Sequence, residues 1–301
     1  MAGIQFDRTL TTAVFHPLRR ALGEGGFRLP VLMYHGVCDD PETGVSPYYR
    51  TNTSPAVFRR QMRQLSEAGY KTLDLSQAIE ALAGRGPVPP GRNVVITFDD
   101  GFRCFYTEAW PALREHGFTA TAFLATAFIH SARKSFKGRE CLTWEEAREL
   151  RKAGMGMGSH TVNHPTLHEL AWDQIERELC DSRRQMENEL AEPVTTFAYP
   201  YAFPQSDGHF VEVFKKLLRK AGYVCCVTTE LGRAKPGDDP LHLKRLPVNS
   251  LDDAEFFRAK LEGGYDWLAW PQAAIKNLKE WTGGGGKKSG AAAPMEHAHF
   301  H

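Results

Sequence analysis

Two stretches of the chain hold residues able to do chemistry together. The β-branched run Val94-Val95-Ile96-Thr97-Phe98 ends in Asp99-Asp100-Gly101, placing two carboxylates and a turn-forming glycine where a buried strand leaves its sheet. Adjacent carboxylates at a buried edge repel, and one tends to stay protonated unless a cation lies beside them. The pair therefore asks for a metal. Gly158-Ser159-His160-Thr161-Val162-Asn163-His164-Pro165 offers two imidazoles four residues apart. If that segment makes one helical turn, both rings lie on one face, about 5–6 Å apart at Cβ, which suits two ligands of one ion. Alone, Asp-Asp-Gly is an ordinary turn and H-x-x-x-H an ordinary coincidence. Together, one carboxylate and two histidines from two strand ends make three protein ligands, the number that leaves a position open for catalysis. Tyr34-His35-Gly36 and Phe197-Ala198-Tyr199-Pro200-Tyr201 follow two further apolar runs. Four strand ends thus present polar or aromatic groups, as expected of one rim of a β/α fold.

The elements that must carry these groups alternate. Apolar runs at 31–34, 70–75, 94–98, 120–125, 155–159, 194–199, 223–228 and 243–248 are separated by helical candidates at 55–68, 104–116, 143–153, 172–190 and 210–221. In the segment 172–190, Asp173 and Glu176 open the first turn, and Ile175, Leu179, Met186 and Leu190 recur at a core-facing spacing. Seven or eight such repeats predict an α/β fold of parallel strands with helical crossovers, either a closed β/α barrel or an open doubly wound sheet. Residues 1–29 read as an N-terminal arm, loosely helical over 8–22, interrupted at Pro17 and broken by Gly23-Glu24-Gly25-Gly26. Residues 30–282 form one barrel-sized domain. Residues 283–301, opening with four glycines, read as a disordered tail whose His297, His299 and His301 could pick up metal ions.

With 301 residues, 42% of them apolar, the chain can bury a real core. Its 37 basic and 36 acidic residues supply no net field for holding a nucleic acid or an anionic membrane by charge alone. The longest mostly apolar stretch, 118–129, is far shorter than the roughly 20 residues of a membrane span, so no transmembrane segment is expected. The first residues lack a secretory pattern, which predicts a cytoplasmic address. Six cysteines without a C-x-x-C pair read as reduced thiols, with Cys104, close to the Asp99–Gly101 segment, singled out for reactivity.

These motifs resemble those of the polysaccharide deacetylases, the carbohydrate esterases of the chitooligosaccharide, peptidoglycan and biofilm poly-N-acetylglucosamine deacetylase type. Thr97-Phe98-Asp99-Asp100-Gly101 is similar to the family's first motif, and Ser159 to Pro165 to its second, H-[ST]-x-x-H. The resemblance spans residues 30 to 250. It extends to Val31-Leu32-Met33-Tyr34-His35, Leu142-Thr143-Trp144-Glu145, Phe197 to Tyr201 and Lys244-Arg245-Leu246-Pro247-Val248, similar to the biofilm-type branch. It implies a distorted (β/α)7 barrel with one divalent ion, zinc by preference and cobalt or nickel as alternatives. It also implies Asp99 as general base, Asp100, His160 and His164 as metal ligands, and Pro200 and Tyr201 at the substrate, with the Tyr201 N–H on the oxyanion.

Two departures from the pattern matter. Ala198 stands where the third motif, R-x-P-Y, carries its arginine, so Arg245 is expected to orient the base instead. No L-x-H follows near the end of the domain, which leaves the general acid open between His35, then His242, then a proton recycled through Asp99. The expected activity is metal-dependent removal of an N-acyl group, first of all N-acetyl, from an amino-sugar-containing glycan or glycoconjugate, with a carbohydrate and no nucleic acid as partner. A cytoplasmic amidase or deformylase acting on a small or lipid-linked amide is the alternative, and a catalytically silent carbohydrate-binding protein on the same fold is the second. Phe102, Tyr106, Trp144 and Tyr199 are candidates for stacking on sugar faces, with plain core packing as the other possibility.

Overall fold

The structure, a computed structural model, describes residues 6–269 except 24, 41, 44, 46–49 and 87–89. It opens with α1 (Phe6–Leu10) and α2 (His16–Leu22), joined by a π-helical turn at Thr11–Phe15. There follow β1 (Val31–Tyr34), β2 (Gly36–Val37), β3 (Asn52–Thr53), α3 (Pro55–Glu67), β4 (Tyr70–Thr72), α4 (Leu75–Leu82) and β5 (Arg92–Phe98). A second π turn, Phe105–Ala109, leads into α5 (Trp110–Glu115), then β6 (Thr121–Leu124), β7 (Ser135–Phe136), β8 (Arg139–Glu140) and α6 (Trp144–Lys152). The chain continues through β9 (Gly156–Ser159), α7 (Trp172–Leu190), β10 (Thr196–Ala198), α8 (Gly208–Lys220), β11 (Cys225–Leu231), β12 (Leu243–Pro247) and α9 (Ala254–Leu261).

Seven of the strands close a parallel barrel in the order β1-β12-β11-β10-β9-β6-β5, sealed where Val31–Tyr34 pair with Val95–Phe98. That seam decides for the (β/α)7 barrel over an open doubly wound sheet. β4 lies outside the ring on the first half of β5, from Tyr70↔Arg92 to Thr72↔Val94, and β6 takes the second half. The ring is uneven: the register of β11 against β12 shifts between Val227 and Leu231, and β10 meets β9 at the single pair Phe197↔Ser159.

Strands covered on both faces need apolar residues throughout, and β1 and β6 are buried at every position. Val31, Val95, Phe123, Ala198, Val227 and Leu243, from six different ring strands, share one apolar cluster. β9 contributes glycine because a Cβ on Gly158 would stand 2.5 Å from the Phe123 ring and 2.6 Å from Thr196 Oγ1. Along β5 the period of two carries Val95 on to Thr97 and Asp99, and along β12 it carries Leu243 on to Arg245, so polar groups follow the apolar layer toward the strand ends. A second, larger cluster joins helices to strands through Phe58, Met62, Leu113, Leu150, Leu179 and Phe214.

Several elements depart from the sequence-based expectation for physical reasons. Asp74 accepts from Gln77 N–H at 2.8 Å in a reciprocal capping box, so Leu75 opens a helix instead of ending a strand. Pro17 does not interrupt the arm. Proline has no N–H to return to the carbonyl four residues back, and the residue before it reaches back five, His16 to Thr11 O and, ahead of Pro111, Trp110 to Phe105 O. Each π turn is the result. The arm is docked on the barrel: Phe15 stacks on Trp267 at 4.7 Å, Trp267 Nε1 donates to Thr11 Oγ1 at 3.0 Å, Tyr265 donates to Asp7 at 2.9 Å and His16 meets Glu262 at 2.8 Å. Among the described residues no helix is long and apolar enough to cross a membrane. The segment 283–301, with His297, His299 and His301, and the domain end expected at 282 lie outside the described residues.

Candidate active site

β5 delivers Asp99 and Asp100 to its C-terminal end and separates them there. Asp99 stays on the inward face, its N–H donating to Tyr34 O at 2.9 Å. Asp100 takes a left-handed φ of 73° and Gly101 one of 70°, turning the chain sharply; a Cβ on Gly101 would press on Leu124 and Ile129 at 3.0 and 3.1 Å. Both carboxylates are buried, each 2% exposed.

The histidine segment is a loop and not the helical turn that its spacing allowed, since Thr161 and His164 adopt φ of 70° and 55°. Hydrogen bonds fix its shape. Glu178 of α7 accepts from the N–H groups of Val162 and Asn163 at 2.8 and 2.9 Å and from Asn163 Nδ2 at 2.7 Å. Thr161 Oγ1 accepts from His164 N–H at 2.9 Å, and Thr126 N–H donates to Thr161 O at 3.1 Å. The result is two buried imidazoles with ring centroids 4.7 Å apart.

Asp100 Oδ1 lies 3.6 Å from His160 Nε2 and 3.1 Å from His164 Nε2, and one potential ligand atom from each of the three residues falls within 4.8 Å of the others. Asp100 Oδ1 is buried yet accepts no hydrogen bond of good geometry. His160 Nδ1 faces Ala198 O at 2.8 Å; donation to that carbonyl fixes the tautomer that leaves the Nε2 lone pair free. Burial alone would raise the Asp100 carboxyl, but the two facing imidazoles hold it well below the ordinary carboxylate range. Burial lowers His164 to about 4 against the pull of Asp100, keeping that ring neutral near pH 7. A carboxylate oxygen and two imidazole nitrogens converging on one point are what a divalent cation needs, and the group fits one.

Asp99 belongs to a second group. Arg245, fully buried inside the barrel, donates through Nη1 to Oδ1 and through Nη2 to Oδ2, both at 2.7 Å. The guanidinium is itself fixed by Thr97 Oγ1 at 3.1 Å and Thr228 O at 2.9 Å. Burial pushes the Asp99 carboxyl up, but the Arg245 guanidinium, helped by His160 and His35, brings it below its ordinary value. His35 Nε2 stands 3.9 Å from Asp99 Oδ2, and burial lowers the pKa of its ring despite both carboxylates. His242 is elsewhere: it precedes β12, at the strand's start rather than its end, paired with Glu230 at 2.9 Å against the Phe203 ring.

The rim holds Pro200, buried at the exit of β10, and Tyr201, 48% exposed, at φ 56° with its ring 4.5 Å from that of His164. Thr229 Oγ1 donates to Tyr201 O at 3.0 Å. Phe102, Trp144 and Tyr199 are core residues, each at most 3% exposed, and Tyr106 hydrogen-bonds Glu149 at 2.7 Å on the outside. A different cation and ring complete the rim. The β7–β8 hairpin turns through Lys137 and Gly138, both at positive φ, and sets Lys137 Nζ 3.3 Å from Asp100 Oδ2 and over the rings of Phe136 and Tyr201. The Lys-Gly dipeptide was the available signal for that turn. Glu178 also escaped notice, although it shares the inward side of α7 with Ile175, Leu179 and Ser182, where a charge needs a reason. Cys104 accepts from Val37 N–H at 3.2 Å and is the less acidic of a pair: its hydrogen bond to Cys38 lowers the Cys38 thiol and raises its own.

Comparison with known proteins bears on the whole assembly. A family model described as polysaccharide deacetylase matches residues 86–225, the span from β5 to the start of β11. The Bacillus subtilis (strain 168) protein named "Putative polysaccharide deacetylase YxkH" is 30% identical over 235 residues, covering 78% of this chain and 76% of its own. A poly-beta-1,6-N-acetyl-D-glucosamine N-deacetylase of Staphylococcus aureus (strain MSSA476) is 25% identical over 212 residues, 67% of this chain and 69% of that protein. Among solved structures, the Streptococcus pyogenes deacetylase PplD in complex with acetate superposes with a TM-score of 0.65 at 25% identity, over 78% of this chain and 98% of that one. The barrel, its motifs and these likenesses agree, and the chain belongs to the polysaccharide deacetylase family of carbohydrate esterases.

Proposed function

We propose that the protein removes N-acetyl groups from an N-acetylglucosamine-containing glycan, using one divalent ion held by Asp100, His160 and His164. The observation that carries this is the side-by-side placement of two differently prepared groups: a buried carboxylate converging with two imidazoles, and next to them a carboxylate, Asp99, kept ionised by Arg245. Zinc is the ion we favour, because a mixed oxygen and imidazole set with an open position suits it. When bound, such an ion acidifies a water and draws charge from a carbonyl oxygen. The substrate class is supported by the names of the relatives.

In this reading Asp99 takes the proton of the attacking water, a contribution typically of 100- to 10,000-fold. Arg245 acts through Asp99, holding both carboxylate oxygens so that the base stays ionised and aimed. It fills the place that the missing arginine at Ala198 left open. The Tyr201 N–H donates to the carbonyl oxygen as charge builds on it, a kind of contact worth roughly 2.7–4 kcal/mol, and Pro200 stiffens the backbone that presents it. The departing amine receives its proton from Asp99 directly or through His35, the imidazole facing it. His242 has no part in this scheme.

The test is acetate release from N-acetylglucosamine oligomers by protein loaded with zinc, alongside formate release from small amides. Release of acetate that stops on chelation and returns with the ion is expected. Formate release without acetate release would move the substrate to small amides, and turnover indifferent to chelation would remove the ion from the reaction.

A further inference from the structure

At the opposite end of the barrel from the carboxylates, where β4 and β5 begin, a cavity of about 380 Å³ opens between the arm and the strands. Its lining includes Arg19, Arg20, Arg28, Arg92 and Arg233 against one carboxylate, Glu262, which already serves Arg92 at 3.2 Å and His16 at 2.8 Å. Arg233 is 5% exposed and pairs with Asp266 at 3.1 Å, and Arg19 Nε is buried without an acceptor among the described residues. Glu262 and Asp266 offset two of these five guanidinium groups; the excess left by Arg19, Arg20 and Arg28 favours an anion with several oxygens, and phosphate geometry matches the guanidinium fork. A chain that is nearly neutral overall thus concentrates positive charge at one place.

The arm that supplies Arg19 and Arg20 also carries an uncovered apolar row. Phe6, Val14, Leu18 and Leu22 are 69, 48, 51 and 75% exposed and recur at multiples of four residues. The row ends at Leu22, and the next residue, Gly23, lines the arginine cavity. An apolar helix edge bordered by arginines is the arrangement that lies in the interface of an anionic bilayer, with side chains in the acyl region and guanidinium groups on lipid phosphates. We propose that this arm docks the protein on an anionic phospholipid surface, with the arginine-lined cavity taking lipid phosphate. The strand ends bearing Asp99 and Asp100 then point away from that surface.

Sedimentation of the full chain with vesicles of phosphatidylcholine containing phosphatidylglycerol, against phosphatidylcholine alone, tests the proposal. Wild-type protein is expected to pellet with the anionic vesicles only, with an affinity that falls steeply as salt rises. Replacing Arg20 and Arg28 by Gln should weaken partitioning about 25-fold, at roughly fivefold per arginine. Leu18→Ser with Leu22→Ser should weaken it about tenfold or more. Both double variants change surface side chains away from the carboxylate site, so their thermal unfolding and their turnover of soluble oligomers should stay as in wild type. Three results would overturn the proposal: equal binding to neutral vesicles, binding of inorganic phosphate without vesicle binding, or a dimer in solution that Leu18→Ser with Leu22→Ser dissolves while vesicles are ignored.

Discussion

Replacing Arg245 by Met takes away both 2.7 Å bonds to Asp99 and leaves Thr97 Oγ1 and Thr228 O without their donor. The pair is buried, Arg245 being 0% and Asp99 2% exposed, so no other cation replaces the lost charge. Two effects follow, and they can be measured separately. Breaking one side of a buried pair typically costs about 3–5 kcal/mol of stability, readable as a lower urea midpoint at unchanged slope. The Asp99 pKa, with burial now opposed only by His160 and His35, should rise. A base works only when ionised, so the acid limb of the kcat/KM profile for acetate release should move up by the same amount. Part of the lost rate should therefore return at high pH. In the double variant Asp99→Asn/Arg245→Met the stability penalty should shrink, because no unpaired charge remains. If the acid limb of Arg245→Met stayed where it is in wild type, Asp99 would not be the titrating base and the assignment of Arg245 as its positioning residue would fail.

Asp100→Ala and His160→Ala should each lose both bound zinc and acetate release, whereas Asp99→Asn should keep stoichiometric zinc and lose about 100- to 10,000-fold in rate; metal analysis of the purified variants beside their kcat separates the two roles. Glu178→Ala removes three hydrogen bonds of 2.7–2.9 Å from the histidine loop, and chelator competition should show zinc held about 10- to 100-fold more weakly, while unchanged affinity would mean that the loop holds itself. Glu146, which burial would raise, is brought down to about 2 by Arg133 and by the N–H at the start of α6. Because that folded value lies below the ordinary one near 4.3, its stabilisation is complete above that pH and is lost as the pH falls toward 2. Glu146→Gln should be less stable than wild type by roughly 1–3 kcal/mol at pH 7, with the gap closing on acidification in urea melts.

The parallel β/α architecture and the core of the site were legible because both are written in short-range code, whereas the choice of a closed barrel came through the family resemblance. Strand runs between helices specify parallel pairing, and carboxylates or imidazoles placed just after such runs land on one rim whatever the loops do. Arg245 came within reach through the family resemblance, against which Ala198 lacks the third motif's arginine and the last strand offers one. Three things were hidden. The conformation of the 160–164 loop depends on Glu178, a helix residue 14 positions beyond His164, and no local pattern announces that pairing. His242 and His35 are alike as histidines near strands, and only the direction of β12 tells which end each occupies. The rim aromatics required knowing which rings the core had already taken: Phe102, Trp144 and Tyr199 are core, leaving Tyr201 and the hairpin's Phe136.

Asp100, Thr161, His164 and Tyr201 all adopt φ between 55° and 73°, a region in which a residue with a side chain is strained by about 1–3 kcal/mol. Glycine would relax the backbone at each, and at Asp100 and His164 it would also delete the donor atoms gathered there. Thermal robustness and turnover therefore pull on the same codons in opposite directions. A mutant library sorted for heat resistance alone should drift toward glycine at these four positions and fill with sturdy, inert barrels.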